Sequence, residues 1–223
     1  MPHRSLPVRE LLIVAFMLGF VVCVGVAMRV YPGGTWWNAH HLGHDFWQNF
    51  LCDLLHNPAL NHEGNAMGSR LAKGGMLLFV LGLTLFWSLA GSRLCCHPRL
   101  RQVVRVLGVC GTPLVAAVAL LPSDQFPRLH TVAVTLGGLP ALAALLVFGV
   151  ALFLEEHCPK WARLLTAWFA ILVIVCLLLY VREAVFRAPS FRGLPALERL
   201  TTITAVIWVL ALLPRQRSTT ARV

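Results

Sequence analysis

Charge is scarce in this chain, and acidic charge is the scarcest. Only 13% of the 223 residues are Asp, Glu, Lys or Arg, whereas 58% are hydrophobic, and the mean hydropathy is +0.74. Soluble domains usually contain about 45–50% apolar and about 25% charged residues. The shortage of charge therefore excludes an ordinary soluble domain.

The apolar segments also lack an alternation of apolar and polar residues. A membrane β-barrel shows that alternation in segments of about ten residues, so this architecture is excluded. Six apolar runs are instead each close to the ~20 residues that cross a bilayer as a helix. They cover residues 11–29, 74–91, 106–122, 131–154, 164–181 and 200–214. We predict an all-α, polytopic membrane protein, a six-transmembrane-helix bundle with residues 1–223 in a single integral-membrane domain.

Basic residues outnumber acidic ones by 19 to 9, which gives a net charge of +10. They are spread over helix ends without an organising aromatic motif, so no nucleic-acid partner is expected, and anionic membrane lipids account for the charge. More than half lie in four regions that six spans place on one side of the membrane: Arg4, Arg9, Arg93, Arg99, Arg101, Arg105, Lys160, Arg163, Arg215, Arg217 and Arg222.

The positive-inside rule makes that side cytoplasmic. We therefore predict a multi-pass protein of the cell inner (cytoplasmic) membrane with cytoplasmic N- and C-termini. The opposite, outer side also carries arginines, namely Arg182, Arg187, Arg192 and Arg199.

Several chemical motifs are missing from the sequence. There is no P-loop, so no nucleotide cofactor is expected. The G-x-S-x-G motif that carries the nucleophile of α/β-hydrolases is also missing. Only His130 lies near a span, so no haem between helices is expected. The span centres lack charged residues, which disfavours an ion-coupled carrier. Of the seven cysteines only Cys52 lies near the outer side, which excludes a disulfide framework there.

Polar side chains concentrate in the outer segment, residues 31–73, between the first two spans. A structureless loop of this length is unusual, so we predict an ordered segment. Trp36 and Trp37 are residue types that favour the membrane interface. A stretch capped by Asp45 has an apolar stripe at helical spacing, which predicts a short helix that ends before Pro58.

Asp53 and His56 are the first candidates for chemistry, because an i, i+3 spacing puts both on one helix face. Three interpretations remain open for the pair. The aspartate can orient a histidine that acts as a general base, both can hold a divalent metal, or they can bridge each other at a wet surface.

The second cluster, "LPSDQFPRLH", lies in the next outer connection and holds Ser123, Asp124 and His130. Pro122 and Pro127 bracket it and stiffen its backbone. His130 opens the fourth span, where a helix N-terminus favours the neutral imidazole that binds metal or accepts a proton. Alternatively, the aspartate caps the turn and the histidine lies at the lipid headgroups.

The candidate residues fall into three groups. The catalytic candidates are Asp53, His56, Asp124 and His130, and the candidate ligands of a divalent metal such as zinc are Asp53, His56 and His130. The candidate binding residues are Asn49, Asn57, Asn61, His62, Asn65 and Ser123. His40 and His44 form a weaker metal pair, because Gly43 disfavours a helix between them and no glutamate completes a zinc motif.

The stretches "YPGGTWW" and "FWQNFLCDLL", followed by "LLPSD", resemble a family of bacterial multi-pass membrane proteins with a domain of unknown function. More distantly, the chain is similar to Frag1/DRAM-like membrane proteins, which carry a related Asp-Leu motif after the first span. The resemblance implies a six-helix membrane fold and no established reaction. Those relatives often have Ser where this chain has Cys52, so no role that needs a hydroxyl is carried over.

We expect a non-catalytic lipid-binding, assembly or sensor component with a polar pocket at the outer face. The alternative is a membrane-embedded hydrolase or transferase that acts on a lipid or lipid-linked substrate through an Asp/His site. A small-solute carrier is the third possibility. The expected partners are membrane lipids, together with a membrane-protein partner or a second copy of the chain.

Overall fold

The computed structural model describes residues 8–93, 98–156, 158–184, 186 and 191–213. Within these ranges the backbone forms six α-helices and no strand. They are α1 (Val8–Val30), α2 (Ala66–Arg93), α3 (Pro98–Leu120), α4 (Pro127–Leu154), α5 (Lys160–Ala184) and α6 (Leu194–Leu212). Several residues used above lie outside the described ranges, namely Arg4, Arg187, Pro214, Arg215, Arg217 and Arg222.

Each of these six helices is long and apolar enough to cross a membrane. The shortest, α6, has 19 residues, and at 1.5 Å per residue it extends about 28 Å. That length is close to the thickness of the hydrocarbon core of a bilayer, about 30 Å. The prediction of an all-α, six-helix bundle is confirmed, and the chain is a multi-pass membrane protein.

The helices extend beyond the apolar runs that predict them. α2 begins at Ala66, so Arg70 and Lys73 belong to its first turns and the outer segment ends at residue 65. An apolar run marks only the part of a helix that lies in hydrocarbon, whereas the polar turns beyond it continue the same hydrogen-bond ladder.

Neighbouring helices approach each other closely where glycines face a partner. A Cβ atom at Gly108 of α3 would lie 2.4 Å from Cγ of Trp87, on α2. A Cβ atom at Gly137 of α4 would lie 3.1 Å from Cβ of Leu114, on α3. Small residues permit this packing where no water drives the helices together.

The centre of the bundle is aromatic. Trp208 of α6 is fully buried, and its ring centroid lies 4.8–5.6 Å from those of Phe86, Trp87, Phe148 and Phe169. Its Nε1 donates to Oγ1 of Thr166 at 2.9 Å, which satisfies the buried indole N–H. α6 therefore packs against α2, α4 and α5.

Residues 31–65 and 121–126 connect the helices at one end of the bundle, which we call the polar end. A second apolar cluster lies beneath the longer connection, where Leu54 and Leu55 are fully buried with Ala27 of α1. Burial of these side chains orders the outer segment as predicted, since leucine burial stabilises by roughly 1.5–3 kcal/mol per side chain.

Candidate functional site

The outer segment folds through turns and one short 3₁₀ helix, Cys52–Leu55, instead of the predicted α-helix. Oδ1 of Asp45 accepts from the backbone N–H groups of Trp47 and Gln48 at 2.8 and 3.0 Å, so Asp45 stabilises a turn, whereas the helix that it was predicted to cap does not begin there. Oδ1 of Asn49 accepts from the backbone N–H of Asp45 at 2.9 Å. These side chains compete with the backbone ladder of an α-helix, which explains the difference.

A turn through the Pro-Gly-Gly stretch at residues 32–34 brings two distant parts of this segment together. Gly34 has a φ of +87°, and a Cβ atom there would lie 2.4 Å from the backbone nitrogen of Asn61. The backbone N–H of Asn61 donates to the carbonyl of Gly33 at 3.2 Å. Only glycine fits this conformation and this close contact. The turn places Trp36 over the 3₁₀ helix.

Asp53 is the central acceptor of the polar end and is 1% exposed. Its Oδ1 accepts from Nε1 of Trp36 at 2.9 Å, and its Oδ2 accepts from Nδ2 of Asn49 and the backbone N–H of Phe50 at 3.1 and 2.8 Å. Burial raises the pKa of the Asp53 carboxyl, and the three N–H donors oppose that rise. The carboxyl group holds the surrounding chain in place.

The two predicted clusters converge. Nε2 of His56 lies 2.7 Å from Oγ of Ser123, and the backbone N–H of Asn57 donates to Oδ2 of Asp124 at 3.2 Å. His56 is 3% exposed, so the contact with Ser123 is shielded from water. The second connection is therefore fixed to the outer segment by side chains 67 residues apart.

His130 joins the same region from the first turn of α4. Its Nδ1 lies 2.7 Å from the carbonyl oxygen of Leu121. A carbonyl oxygen only accepts, so Nδ1 carries a proton, and in the neutral form of the ring Nε2 is left as an acceptor. The ring is 4% exposed and lines the cavity described below.

A cavity of about 470 Å³ lies beneath Trp36 and Trp37, between α4, α5 and α6. Its wall within the bundle is mainly apolar and includes Val134, Val173, Leu177 and Leu194. At the polar end it is lined by Cys52, Asp53, Ser123, His130, Tyr180, Glu183 and Glu198. The cavity is thus apolar along its length and polar at one end.

The other predicted residues shape this region without lining the cavity. Asp124 is exposed at the rim. The side chain of Asn65 donates to the carbonyl oxygens of Leu54 and His56 at 3.2 and 3.0 Å. The remaining predicted residues support the chain in the same way or lie at its surface: Asn49, Asn57, Asn61 and His62.

The described residues contain no group of three or more His, Cys, Asp or Glu side chains placed to hold a metal ion. Asp53, His56 and His130 therefore do not form the predicted ligand set. The Asp53 oxygens are taken by three N–H donors, Nε2 of His56 contacts Ser123, and Nδ1 of His130 donates to a backbone carbonyl. The zinc prediction is not carried further.

Two residues that sequence reasoning missed lie at the start of α6. Oε2 of Glu198 accepts from the backbone N–H of Leu51 at 2.8 Å. Arg199 is 2% exposed, and its Nη2 donates to the carbonyl oxygen of Asn49 at 3.0 Å. Its guanidinium also lies 5.4 Å from the ring centroid of Phe46. The sequence feature that could have identified them is a Glu-Arg pair one turn into an apolar helix.

His44 completes the contact between the outer segment and α6. Its Nε2 lies 3.1 Å from Nη2 of Arg199. Burial, followed by the charge of Arg199, lowers the pKa of His44 to about 3. The imidazole is therefore neutral at pH 7 and accepts from the guanidinium. The predicted metal pair of His40 and His44 is not carried further, since Nε2 of His44 contacts the guanidinium of Arg199.

Fold and cavity define a class: a six-helix, multi-pass membrane protein with an amphipathic cavity at the polar end. Comparison with family models, curated proteins and solved structures finds no match to the chain. The resemblance to Frag1/DRAM-like proteins therefore stays a prediction, and function is argued from the cavity.

Proposed function

We propose that the protein binds one amphipathic lipid, with the lipid chain in the cavity and the headgroup at the polar end. The observation that carries this proposal is the cavity itself, about 470 Å³ in volume. Small-molecule sites usually have about 300–1,000 Å³ and combine apolar walls with a few placed polar groups. The six helices lie in a bilayer, where a lipid is the most abundant apolar ligand.

The hydrogen bonds of the polar groups support binding in preference to catalysis. All three donors to Asp53 belong to the outer segment, residues 31–65, which forms the roof of the cavity. This carboxyl group therefore stabilises the roof. A polar network whose members satisfy one another makes a rigid wall. A rigid wall suits a lipid-binding component, which can serve as a sensor or as an assembly partner.

We also propose that the polar end faces the outside of the cell inner membrane, with both termini in the cytoplasm. Arginine and lysine side chains at the opposite end support this orientation through the positive-inside rule. They are Arg99, Arg101, Arg105, Lys160 and Arg163. The bound lipid then belongs to the outer leaflet.

One contact favours a second candidate function, hydrolysis or transfer of a lipid acyl group. Nε2 of His56 is 2.7 Å from Oγ of Ser123, the distance at which a base activates a nucleophile. Ser123 lines the cavity, so its hydroxyl faces the place of a bound lipid. A carboxylate that would orient the base is not supplied by Asp53, whose oxygens are held by other donors.

The proposal is tested by filling the cavity. The variant Val134→Phe places a ring in the space of a lipid chain, whereas Val132→Phe, on the 49% exposed neighbouring face of α4, leaves the cavity unchanged. Displacing about two methylene groups, at about 0.8 kcal/mol each, lowers affinity about tenfold.

Native mass spectrometry of protein purified in a mild maltoside detergent measures lipid occupancy. We expect one retained lipid in wild type and in Val132→Phe, and strongly reduced occupancy in Val134→Phe. Equal occupancy in all three proteins, or none in wild type, would contradict the proposal.

A further inference from the structure

We propose that the polar end of the cavity selects a cationic headgroup, so that the ligand is an amphiphile with an ammonium group. This inference rests on the proposed lipid-binding function. It is carried by the placement of carboxylate and aromatic side chains at the same end of one cavity.

Among the described residues that line the cavity, every formally charged side chain is acidic. They are Asp53, Glu183 and Glu198, and no Lys or Arg is among the described residues that line it. Arg199 follows Glu198 in sequence but does not line the cavity. Its Nε and Nη2 contact the carbonyl oxygens of Phe46 and Asn49 and the ring of His44, whereas its Nη1 is buried without a hydrogen-bond partner.

The charges of two of these acids, Asp53 and Glu198, repel each other, although Arg199 attracts Glu198 more strongly than Asp53 repels it. The described residues supply neither acid with an ion-pair partner within 4.0 Å. Their hydrogen-bond donors are uncharged N–H groups. A cation bound between them would relieve this repulsion in a site of low dielectric constant.

Aromatic rings form the other part of the polar end. Trp36, Trp37, Phe50 and Tyr180 all line the cavity. The indole of Trp36 is fixed by its hydrogen bond to Asp53, and the backbone of Phe50 is fixed by a hydrogen bond to the same carboxyl group. Aromatic faces attract cations, and rings grouped around a pocket are a common way to bind ammonium groups.

The same arrangement disfavours an anionic headgroup. A phosphate at the polar end would face carboxyl groups, and the described part of the lining offers no Lys or Arg to neutralise it. An uncharged polyol could donate hydrogen bonds to carboxyl oxygens but would lack the attraction of charge and rings. The order of affinity is therefore ammonium, then uncharged, then phosphate.

Three probes with the same twelve-carbon chain test this order: dodecyltrimethylammonium, 1-O-dodecylglycerol and dodecyl phosphate. Binding to purified full-length protein is measured by native mass spectrometry in an uncharged maltoside detergent. We expect wild type to bind the ammonium probe about tenfold more tightly than the glycerol probe, and the phosphate probe most weakly.

Variants at two positions test whether the acidic side chains cause the preference for the ammonium probe. Glu198→Gln keeps an oxygen that can accept from the N–H of Leu51, and Glu183→Gln keeps an oxygen for the N–H of Phe191. Both substitutions remove charge with little change in shape. We expect each to reduce the preference for ammonium severalfold while binding of the glycerol probe is unchanged.

The outcomes separate this inference from the proposed function. Equal binding of all three probes to wild type, abolished by Val134→Phe, would leave lipid binding intact and overturn the cation preference. A preference for the phosphate probe would also overturn it. If no probe binds in a way that Val134→Phe reduces, both proposals fail.

Discussion

Arg199 illustrates how single residues hold the polar end together. It is a buried guanidinium that contacts three parts of the outer segment, through His44, Phe46 and Asn49. Loss of the guanidinium would leave these acceptors without their donor, at about 1–3 kcal/mol for each buried group that stays unsatisfied. The closeness of Glu198 to this anchor makes the polar end sensitive to changes at either residue.

The contact between His56 and Ser123 makes a prediction that separates binding from catalysis. We expect Ser123 to stay unmodified by a fluorophosphonate probe, because no described carboxylate orients the imidazole of His56. Labelling is read by tryptic mass spectrometry of wild type and of Ser123→Ala. Labelling of wild type that both Ser123→Ala and His56→Gln abolish would instead establish the hydrolase as the function.

At the residue scale, the sequence identified candidate site residues where polar side chains lie beside apolar runs. Asp53, Ser123 and His130 stood out as polar side chains beside apolar runs, and the structure places all three around one cavity. Arg199 was counted among the arginines of the outer side and Glu198 was not singled out, because the sixth apolar run begins only at residue 200. Hydropathy cannot show that a charged side chain in the first turns of a helix points inward.

At the scale of elements, the outer segment is a roof that is held to α6. Sequence length and aromatic content predicted its order, but not its 3₁₀ helix. That choice depends on side-chain hydrogen bonds of Asp45, Asn49 and Asp53, which only the folded chain brings into place. Helix spacing alone therefore predicted the wrong type of helix.

We expect the contact between the roof and α6 to weaken in acid, because His44 is buried as a neutral hydrogen-bond acceptor. Its pKa is about 3 in the folded protein and 6.5 in the unfolded chain. The unfolded state therefore binds the proton first, and stability falls as pH decreases from 6.5 towards 3, by up to about 2 kcal/mol at pH 5. Burial raises the pKa of Asp53, which acts in the opposite direction but equally in any His44 variant.

The measurement is thermal unfolding in detergent at several pH values between 7 and 5. His44→Gln keeps an acceptor for Arg199 and cannot be protonated, so we expect its melting temperature to fall less than that of wild type. His40→Gln, at an exposed position of the same segment, is the matched control and should follow wild type. Parallel curves for all three proteins would show that His44 does not control the docking of the roof.

At the scale of the whole molecule, the six spans were the most predictable feature. A helix in lipid needs an uninterrupted apolar run, so hydropathy identifies it directly. The order of packing was not predictable, because the central position of Trp208 depends on contacts with three other helices. The cavity between α4, α5 and α6 follows from that packing and was equally invisible in the sequence.

The proposed orientation of the protein in the membrane leads to a prediction for the whole molecule. In intact cells, we expect His62→Cys and Gln125→Cys to react with a membrane-impermeant maleimide and Arg99→Cys to react only after permeabilisation. All three positions are exposed, and wild type corrects for the native cysteines. The reverse pattern would place the polar end in the cytoplasm, and opposite behaviour of His62→Cys and Gln125→Cys would separate the two connections.

The position of α6 has a consequence for how the protein is made. Ribosomes release α6 after the other five helices, yet Trp208 fills the middle of the aromatic core and Arg199 anchors the roof formed by residues 31–65. During synthesis the earlier helices can enter the bilayer, but their aromatic side chains stay uncovered until α6 inserts. A ribosome that stalls before Leu194 would leave an unfinished bundle with uncovered rings, a substrate for membrane proteases and chaperones.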